Sequence, residues 1–181
     1  MMYAIIIVSI VLILVAIAIY NNLVCTNYQC DEAWSNVEAE FKRRYVLIPA
    51  LVSTVKGYVS HEKQLLEELV KLREKAFDNR NSVLSPENEA EFSRNLNRLI
   101  VRLEAYPKLK ASRNFRELQC ELANTEDRIQ AALRFYNANV RRINSAIEQF
   151  PSNILANLFN FEKRNFFRLE EAARIAPIVR F

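Results

Sequence analysis

The sequence predicts an all-α protein: an N-terminal transmembrane helix running into an antiparallel helical bundle with long amphipathic helices. Three observations support this. Hydrophobic residues make up 51% of the 181 residues, and one glycine and five prolines leave little material for turns. The chain begins with an uncharged apolar run. Beyond it, apolar residues recur every three or four positions, as on one face of a helix. We therefore divide the chain into a transmembrane anchor, residues 1–24, and a helical bundle domain, residues 25–181.

The apolar run, MMYAIIIVSIVLILVAIAIY, is long enough to cross a bilayer. At about 1.5 Å per residue it measures roughly 30 Å, the thickness of a hydrocarbon core. A cleaved signal peptide is the alternative, because Ala16-Ile17-Ala18 resembles a cleavage site. However, no Lys or Arg precedes the run, and it continues past that site. The residues predicted to span the membrane are Ala4, Ile5, Ile6, Ile7, Val8, Ile10, Val11, Leu12, Ile13, Leu14, Val15, Ile17 and Ile19.

Orientation in the membrane stays undetermined, because basic residues set it only within about 15–20 positions of the span. The basic triplet Lys42-Arg43-Arg44 lies just outside that window. On a continuous helix the triplet would stand roughly 33 Å from the lipid. Attraction to anionic lipid decays over about 8 Å. We therefore expect Arg43 and Arg44 to lie on an exposed helix face or in an intersubunit ion pair, and we assign both to a candidate interaction surface.

The first long amphipathic helix is predicted over about residues 25–78, with a kink near residue 49. Proline removes one hydrogen bond, but the apolar positions keep their register through Pro49, so the helix should resume. Gly57 either makes the helix more flexible or permits the close approach of another backbone. Pro49 and Gly57 are therefore the predicted hinge.

Three further helices are predicted over 86–105, 114–150 and 162–175. Ser85-Pro86-Glu87 is typical of a helix start, with a capping serine before proline and an acid. Asn114 and Glu117 form a capping-box variant at the next start. The 114–150 helix has apolar spacings of three and four with one stutter, as in a coiled-coil seam. Its predicted core positions are 115, 118, 122, 125, 129, 132, 136, 140, 143, 147 and 150.

Six of the eleven phenylalanines lie after residue 149. Two interpretations remain open: they seal the end of the bundle as core residues, or some form an exposed contact with protein or lipid. For the second interpretation, the candidate interaction surface includes Phe159, Phe161, Phe166 and Phe167.

The sequence offers little for catalysis or for cofactor binding. Its three cysteines form no CxxC pair, and His61 is the single histidine, with leucine where a zinc-binding HExxH motif needs a second one. The charges are interspersed, so the net charge of +4 does not indicate nucleic-acid binding. We predict no catalytic, cofactor-binding or metal-binding residues, and no enzymatic activity.

Four stretches together resemble the LemA family of bacterial membrane proteins. They are EAWSNVEAEFKRRYVLIPALVSTVKGYVSHEKQLLEELVKLR, LEAYPKLKASRNFRELQCELANTEDRI, RFYNANVRRINSAIEQFP and FFRLEEAARIAPIVRF. The chain departs from the family pattern LFGF at Asn160, where asparagine replaces glycine. Asparagine is the next best residue in a left-handed conformation, so we expect the turn to be retained. The resemblance implies a single-pass protein of the bacterial cell membrane with no established catalytic activity, similar to proteins implicated in magnetosome membrane formation.

Two hypotheses of function follow. In the first, the protein forms homo-oligomers that organise or remodel the lipid bilayer. In the second, it is an adaptor or scaffold for another membrane protein, such as an envelope protease. Long amphipathic helices with apolar faces that a small bundle does not bury completely favour the first.

Overall fold

The computed structural model describes residues 1–59 and 62–169 of the chain. Within them it contains six helices and no strands, which confirms the all-α prediction. The helices are α1 (Met2–Lys56), α2 (Lys63–Asn81), α3 (Pro86–Leu103), α4 (Pro107–Lys110), α5 (Arg113–Glu148) and α6 (Ser152–Leu158). The described residues form two compact units: the first of Met1–Val37 and Ala132–Phe166, the second of Glu38–Ala131 and Phe167–Leu169.

Helix α1 runs through Pro49 without interruption, as predicted, but it ends at Lys56 rather than near residue 78. After Lys56 the backbone N–H groups of Tyr58 and Val59 both donate to the carbonyl of Val55, which closes a turn. The predicted long helix is therefore wrong beyond Lys56. The apolar spacing misled us because it resumes in α2, whose buried residues are Leu65, Leu69, Leu72 and Ala76.

Gly57 lies in this turn, and a side-chain carbon placed on it would meet no atom of the described residues within 4 Å. Among those residues, no second backbone packs against Gly57. The hinge at Pro49 and Gly57 remains a prediction.

Helices α2 and α3 pack against each other in the second unit. Their ion pairs, Lys75 with Glu91 and Glu68 with Arg102, progress in opposite directions along the two helices, so the helices are antiparallel. Helix α3 begins as predicted, because the Ser85 hydroxyl accepts a hydrogen bond from the N–H of Asn88.

Helix α5 begins and ends within two residues of its predicted bounds. Most of its predicted core positions are buried, but Phe150 is 81% exposed because α5 ends at Glu148, before it. The predicted core positions that are buried are Phe115, Leu122, Thr125, Ile129, Tyr136, Val140, Ile143 and Ile147.

In the first unit, the N-terminal part of α1 runs antiparallel to the C-terminal part of α5. The rings of Trp34 and Tyr136 lie 5.1 Å apart, and Gln29 accepts a hydrogen bond from Arg142 at 3.4 Å. Between these helices and α6 lies an apolar cluster of Leu23, Cys30, Ile143, Ile147 and Ala156.

Helix α6 ends in a left-handed turn at Asn160, whose φ is 55°. The N–H of Phe161 donates to the carbonyl of Ala156 at 2.9 Å, and the N–H of Asn160 donates to Asn157 at 3.3 Å. These two bonds define a Schellman motif. The expectation that asparagine would preserve the turn is confirmed.

The predicted helix over 162–175 is wrong for residues 162–169, which are not helical. Side chains on α5 bind the backbone of this segment instead. The Asn144 amide donates to the carbonyl of Arg164 and accepts from its N–H, each at 2.9 Å, while the Tyr136 hydroxyl donates to the carbonyl of Asn165 at 3.1 Å. Residues 170–175 lie outside the described part of the chain.

We predict that Asn160→Gly stabilises the protein and that Asn160→Val destabilises it, each by about 1 kcal/mol, because only glycine adopts a positive φ without steric cost. Chemical denaturation of the full chain in mild detergent, followed by circular dichroism, measures both changes. Asn157→Gly, inside α6, should destabilise instead. Equal effects of glycine at both positions would contradict the role assigned to Asn160.

Candidate functional site

Within the described part of the chain, one stretch of α1, near its N-terminus, is long and apolar enough to cross a membrane, and no other described residue buries it. Every residue predicted to span the bilayer is exposed except Ile19, which is half-buried. Large apolar side chains without protein contacts are stable only in an apolar environment. This geometry fits a helix surrounded by lipid.

The end of the apolar run is marked by three aromatic rings. Tyr20 lies 4.6 Å from Phe159 and 6.2 Å from Phe161, measured between ring centroids. Phe161 is half-buried against the apolar cluster of the first unit, whereas Phe159 is 51% exposed.

The four phenylalanines of the predicted interaction surface therefore differ in their exposure. Phe159 and Phe166 are exposed, at 51% and 39%, and Phe161 is half-buried. Phe167 is only 6% exposed and its ring lies 6.1 Å from that of Phe41, so its assignment to a surface is wrong. It belongs to the core of the second unit.

The basic triplet is paired within the chain. Lys42 lies 3.9 Å from Glu38, and Arg43 lies 3.6 Å from Glu121. Arg44 is 1% exposed, so its assignment to an exposed face is wrong. An interaction role for Arg43, which is about half-exposed, remains a prediction.

Arg44 is the centre of a buried polar network in the second unit. Its guanidinium donates to Glu89 at 2.5 Å, to the Ser93 hydroxyl at 2.7 Å and to Glu126 at 3.1 Å. Its Cζ also lies 4.9–5.7 Å from the ring centroids of Phe41, Tyr45 and Phe92, within cation–π range. One guanidinium thus connects α1, α3 and α5.

Glu89 is equally buried and accepts hydrogen bonds from Arg44 and from the Tyr45 hydroxyl. Burial raises the pKa of the Glu89 carboxyl, while Tyr45 and Arg44 act in the opposite direction. Burial, together with the hydrogen bond to Glu89, raises the pKa of the Tyr45 phenol far above its usual value.

Sequence reasoning missed this network, although a signal was present. Glu89 precedes Phe92 by three positions and therefore continues the apolar face of α3 backwards. A charged residue on a core face needs a buried partner of opposite charge. Arg44, which precedes the buried residue Tyr45 on α1, is such a partner.

Both Glu89 oxygens already accept hydrogen bonds, whereas the Nε of Arg44 is buried and has no hydrogen-bond partner among the described residues. Among residues 1–59 and 62–169, the structure has no group of three or more His, Cys, Asp or Glu side chains arranged to hold a metal ion. The arrangement is suited to fixing helices in register.

The fold and the exposed apolar helix define a class of membrane-associated, all-helical proteins. A family model described as the LemA family matches residues 33–181, and the chain belongs to this family. It is 27% identical over 156 residues to Protein LemA of Metamycoplasma hominis, covering 86% of this chain and 71% of the relative.

Two magnetosome proteins are also similar. MamQ of Magnetospirillum gryphiswaldense is 30% identical and MamQ 2 of Paramagnetospirillum magneticum 31% identical, each over 88 residues. These alignments cover 49% of this chain and 32% of each relative. The chain thus spans about a third of the length of the MamQ proteins.

Replacing Arg44 with methionine should lower the free energy of unfolding by about 3–5 kcal/mol, because it leaves a buried carboxylate without its charged partner. The double variant Arg44→Met with Glu89→Leu should recover much of that loss. Denaturant titration of the full chain in detergent measures both. The matched control is Arg43→Met, whose exposed ion pair should contribute less than about 1 kcal/mol. A double variant no more stable than Arg44→Met would contradict this account.

Stability should decline in alkaline solution. Burial raises the pKa of Tyr45, Tyr136 and Cys30, so the folded state holds these protons at a pH where the unfolded chain has released them. Since unfolded tyrosine ionises near pH 10 and cysteine near pH 8.5, the stabilisation is complete below about pH 8 and decreases as pH rises above it. Tyr45→Phe should reduce the slope of the free energy of unfolding against pH, measured by denaturant titration between about pH 9 and pH 11. Tyr28→Phe, at an exposed position, should not change that slope. Equal slopes in all three proteins would refute the assignment.

Proposed function

We propose that this chain is a non-enzymatic, single-pass protein of the bacterial cell membrane that self-associates to organise or remodel the bilayer. The observation that carries the anchoring is the apolar part of α1, which the chain leaves uncovered. The likeness to relatives named magnetosome proteins supports a role at membranes. The proposed anchor is residues 1–24.

Self-association is supported by an open apolar groove between α1 and α2 in the second unit. Val70 and Phe77 on α2 are 51% and 68% exposed, although both are large and apolar. Pro49, one of the two predicted hinge residues, lies in the opposite wall on α1. The groove, about 830 Å³ in volume, is also lined by Val52, Ser53, Lys56, Leu66, Leu69, Arg73, Glu74 and Asp78.

The charges that line this groove also support a second copy of the chain as the occupant. The lining carries two basic residues, Lys56 and Arg73, and two acidic residues, Glu74 and Asp78. A patch that holds both signs around an apolar centre can pair with itself across a two-fold axis. Membrane anchoring raises the effective concentration of the copies, so a modest interface is sufficient.

Chemical crosslinking of the full chain in native membranes tests the proposal. Wild-type protein should yield dimers or larger species, and Phe77→Asp should reduce them at least fivefold, because it places a charge on the apolar groove. Val101→Asp is the matched control, since Val101 is 67% exposed on α3 and does not line the groove.

Only monomers in wild-type membranes would overturn self-association. A crosslink to a different membrane protein, lost in Phe77→Asp, would establish the adaptor function in its place. Intact oligomers in Phe77→Asp would exclude this groove as the interface.

A further inference from the structure

We propose that the segment Phe150–Phe161, named here the interfacial segment, lies in the headgroup region of the bilayer that α1 crosses and contacts lipid directly. The proposal rests on the membrane crossing proposed above. It assigns a second membrane contact to a part of the chain more than a hundred residues from the anchor in sequence.

The interfacial segment carries exposed apolar side chains and no charge. Its sequence, FPSNILANLFNF, contains no Asp, Glu, Lys or Arg. Phe150, Ile154 and Leu158 follow one another at intervals of four and are 81%, 58% and 68% exposed, and Phe159 is 51% exposed. Four large apolar side chains this exposed in so short a segment are unfavourable in water.

The opposite side of the segment packs against the protein. The exposed apolar side chains are therefore not core residues that have lost their contacts. Ala156 is fully buried in the apolar cluster of the first unit, and Leu155 and Phe161 pack against that cluster. The Schellman turn at Asn160 fixes the end of α6. The segment is thus amphipathic, with its apolar outer face held in place by the core.

The contact with Tyr20 gives the depth of the segment. Tyr20 ends the uncharged apolar run of α1, and its ring lies 4.6 Å from that of Phe159. Tyrosine at the end of a membrane span is typical of the lipid headgroup level, where the ring is apolar and the hydroxyl contacts water. Phe159 must therefore lie near the same level.

Charged residues of the first unit border the interfacial segment: Glu148 precedes it, Glu162 and Lys163 follow it, and Lys163 forms an ion pair with Glu148. The first charged residue of α1 is Asp31, about 16 Å along the helix from Tyr20 at 1.5 Å per residue. Asp31 forms an ion pair with Arg164 at 2.6 Å. An uncharged apolar segment bordered by charged residues is typical of the headgroup region, which admits apolar faces to a depth of about 5–10 Å.

Tryptophan fluorescence in the full chain tests this placement. In a Trp34→Phe background, which removes the native tryptophan, single tryptophans are introduced by Phe159→Trp, Leu12→Trp and Phe135→Trp. Each protein is reconstituted into phosphatidylcholine and phosphatidylglycerol vesicles in which some acyl chains carry bromine close to the headgroup. Phe135 is the matched control because it is 57% exposed on α5, and it lies about 20 Å along the helix before Glu148.

The tryptophan at position 159 should be quenched by shallow bromine at least threefold more than the one at 135, with emission shifted to shorter wavelength. Leu158→Trp should behave like Phe159→Trp and serves as a second variant if the first folds poorly. Retained helical circular dichroism checks each fold. In a second set of vesicles, brominated near the end of the acyl chain, the tryptophan at position 12 should be quenched more than in vesicles brominated close to the headgroup.

The possible failures are distinct. If position 12 is quenched by lipid but 158 and 159 are quenched only by aqueous iodide, the anchor stands and the interfacial segment is refuted. Shielding of 158 and 159 from both quenchers would also refute it, because that result indicates a protein contact. No lipid quenching at position 12 would overturn the proposed membrane crossing, and the inference with it.

Discussion

An apolar helix surface that the protein itself leaves uncovered constrains the arrangement of the first unit. The uncovered part of α1 is long and apolar enough to cross a membrane, and α5 returns toward it in the antiparallel direction. If α5 continued past Glu148 as a helix, it would run alongside this apolar part of α1. Instead the chain turns at the level of Tyr20 and forms α6, a segment with no charged side chain. The turn of the chain therefore coincides with the end of the apolar run.

The second unit depends on a different constraint, the burial of Arg44 and Glu89. A buried ion pair adds little net stability, since desolvation offsets most of the attraction. Its effect is to disfavour other packing registers: a shift of α3 along α1 by one residue would separate the two charges and leave Glu89 buried without its charged partner. Such a shift would cost several kcal/mol. Because Glu126 also contacts Arg44, the same penalty applies to α5.

The sequence was sufficient to predict features set by local patterns. Apolar periodicity located α3 and α5, and the steric preferences at positive φ explained Asn160. It was insufficient where residues distant in the chain determine the backbone conformation or the burial of a side chain. Residues 162–169 are held non-helical by Asn144 and Tyr136 on α5, and Arg44 is buried because Glu89 lies opposite it on α3. In each case the local sequence predicts an exposed side chain or a helix, but a contact with a distant residue produces a different structure.

The two proposed contacts also differ in how much affinity they require. The proposed self-association rests on a surface outside the proposed span, the groove at Phe77. Anchored copies diffuse in two dimensions, which lowers the affinity that such a groove needs. The lipid contact proposed for the interfacial segment, by contrast, needs only the bilayer beside the proposed anchor, so it does not depend on the association of copies.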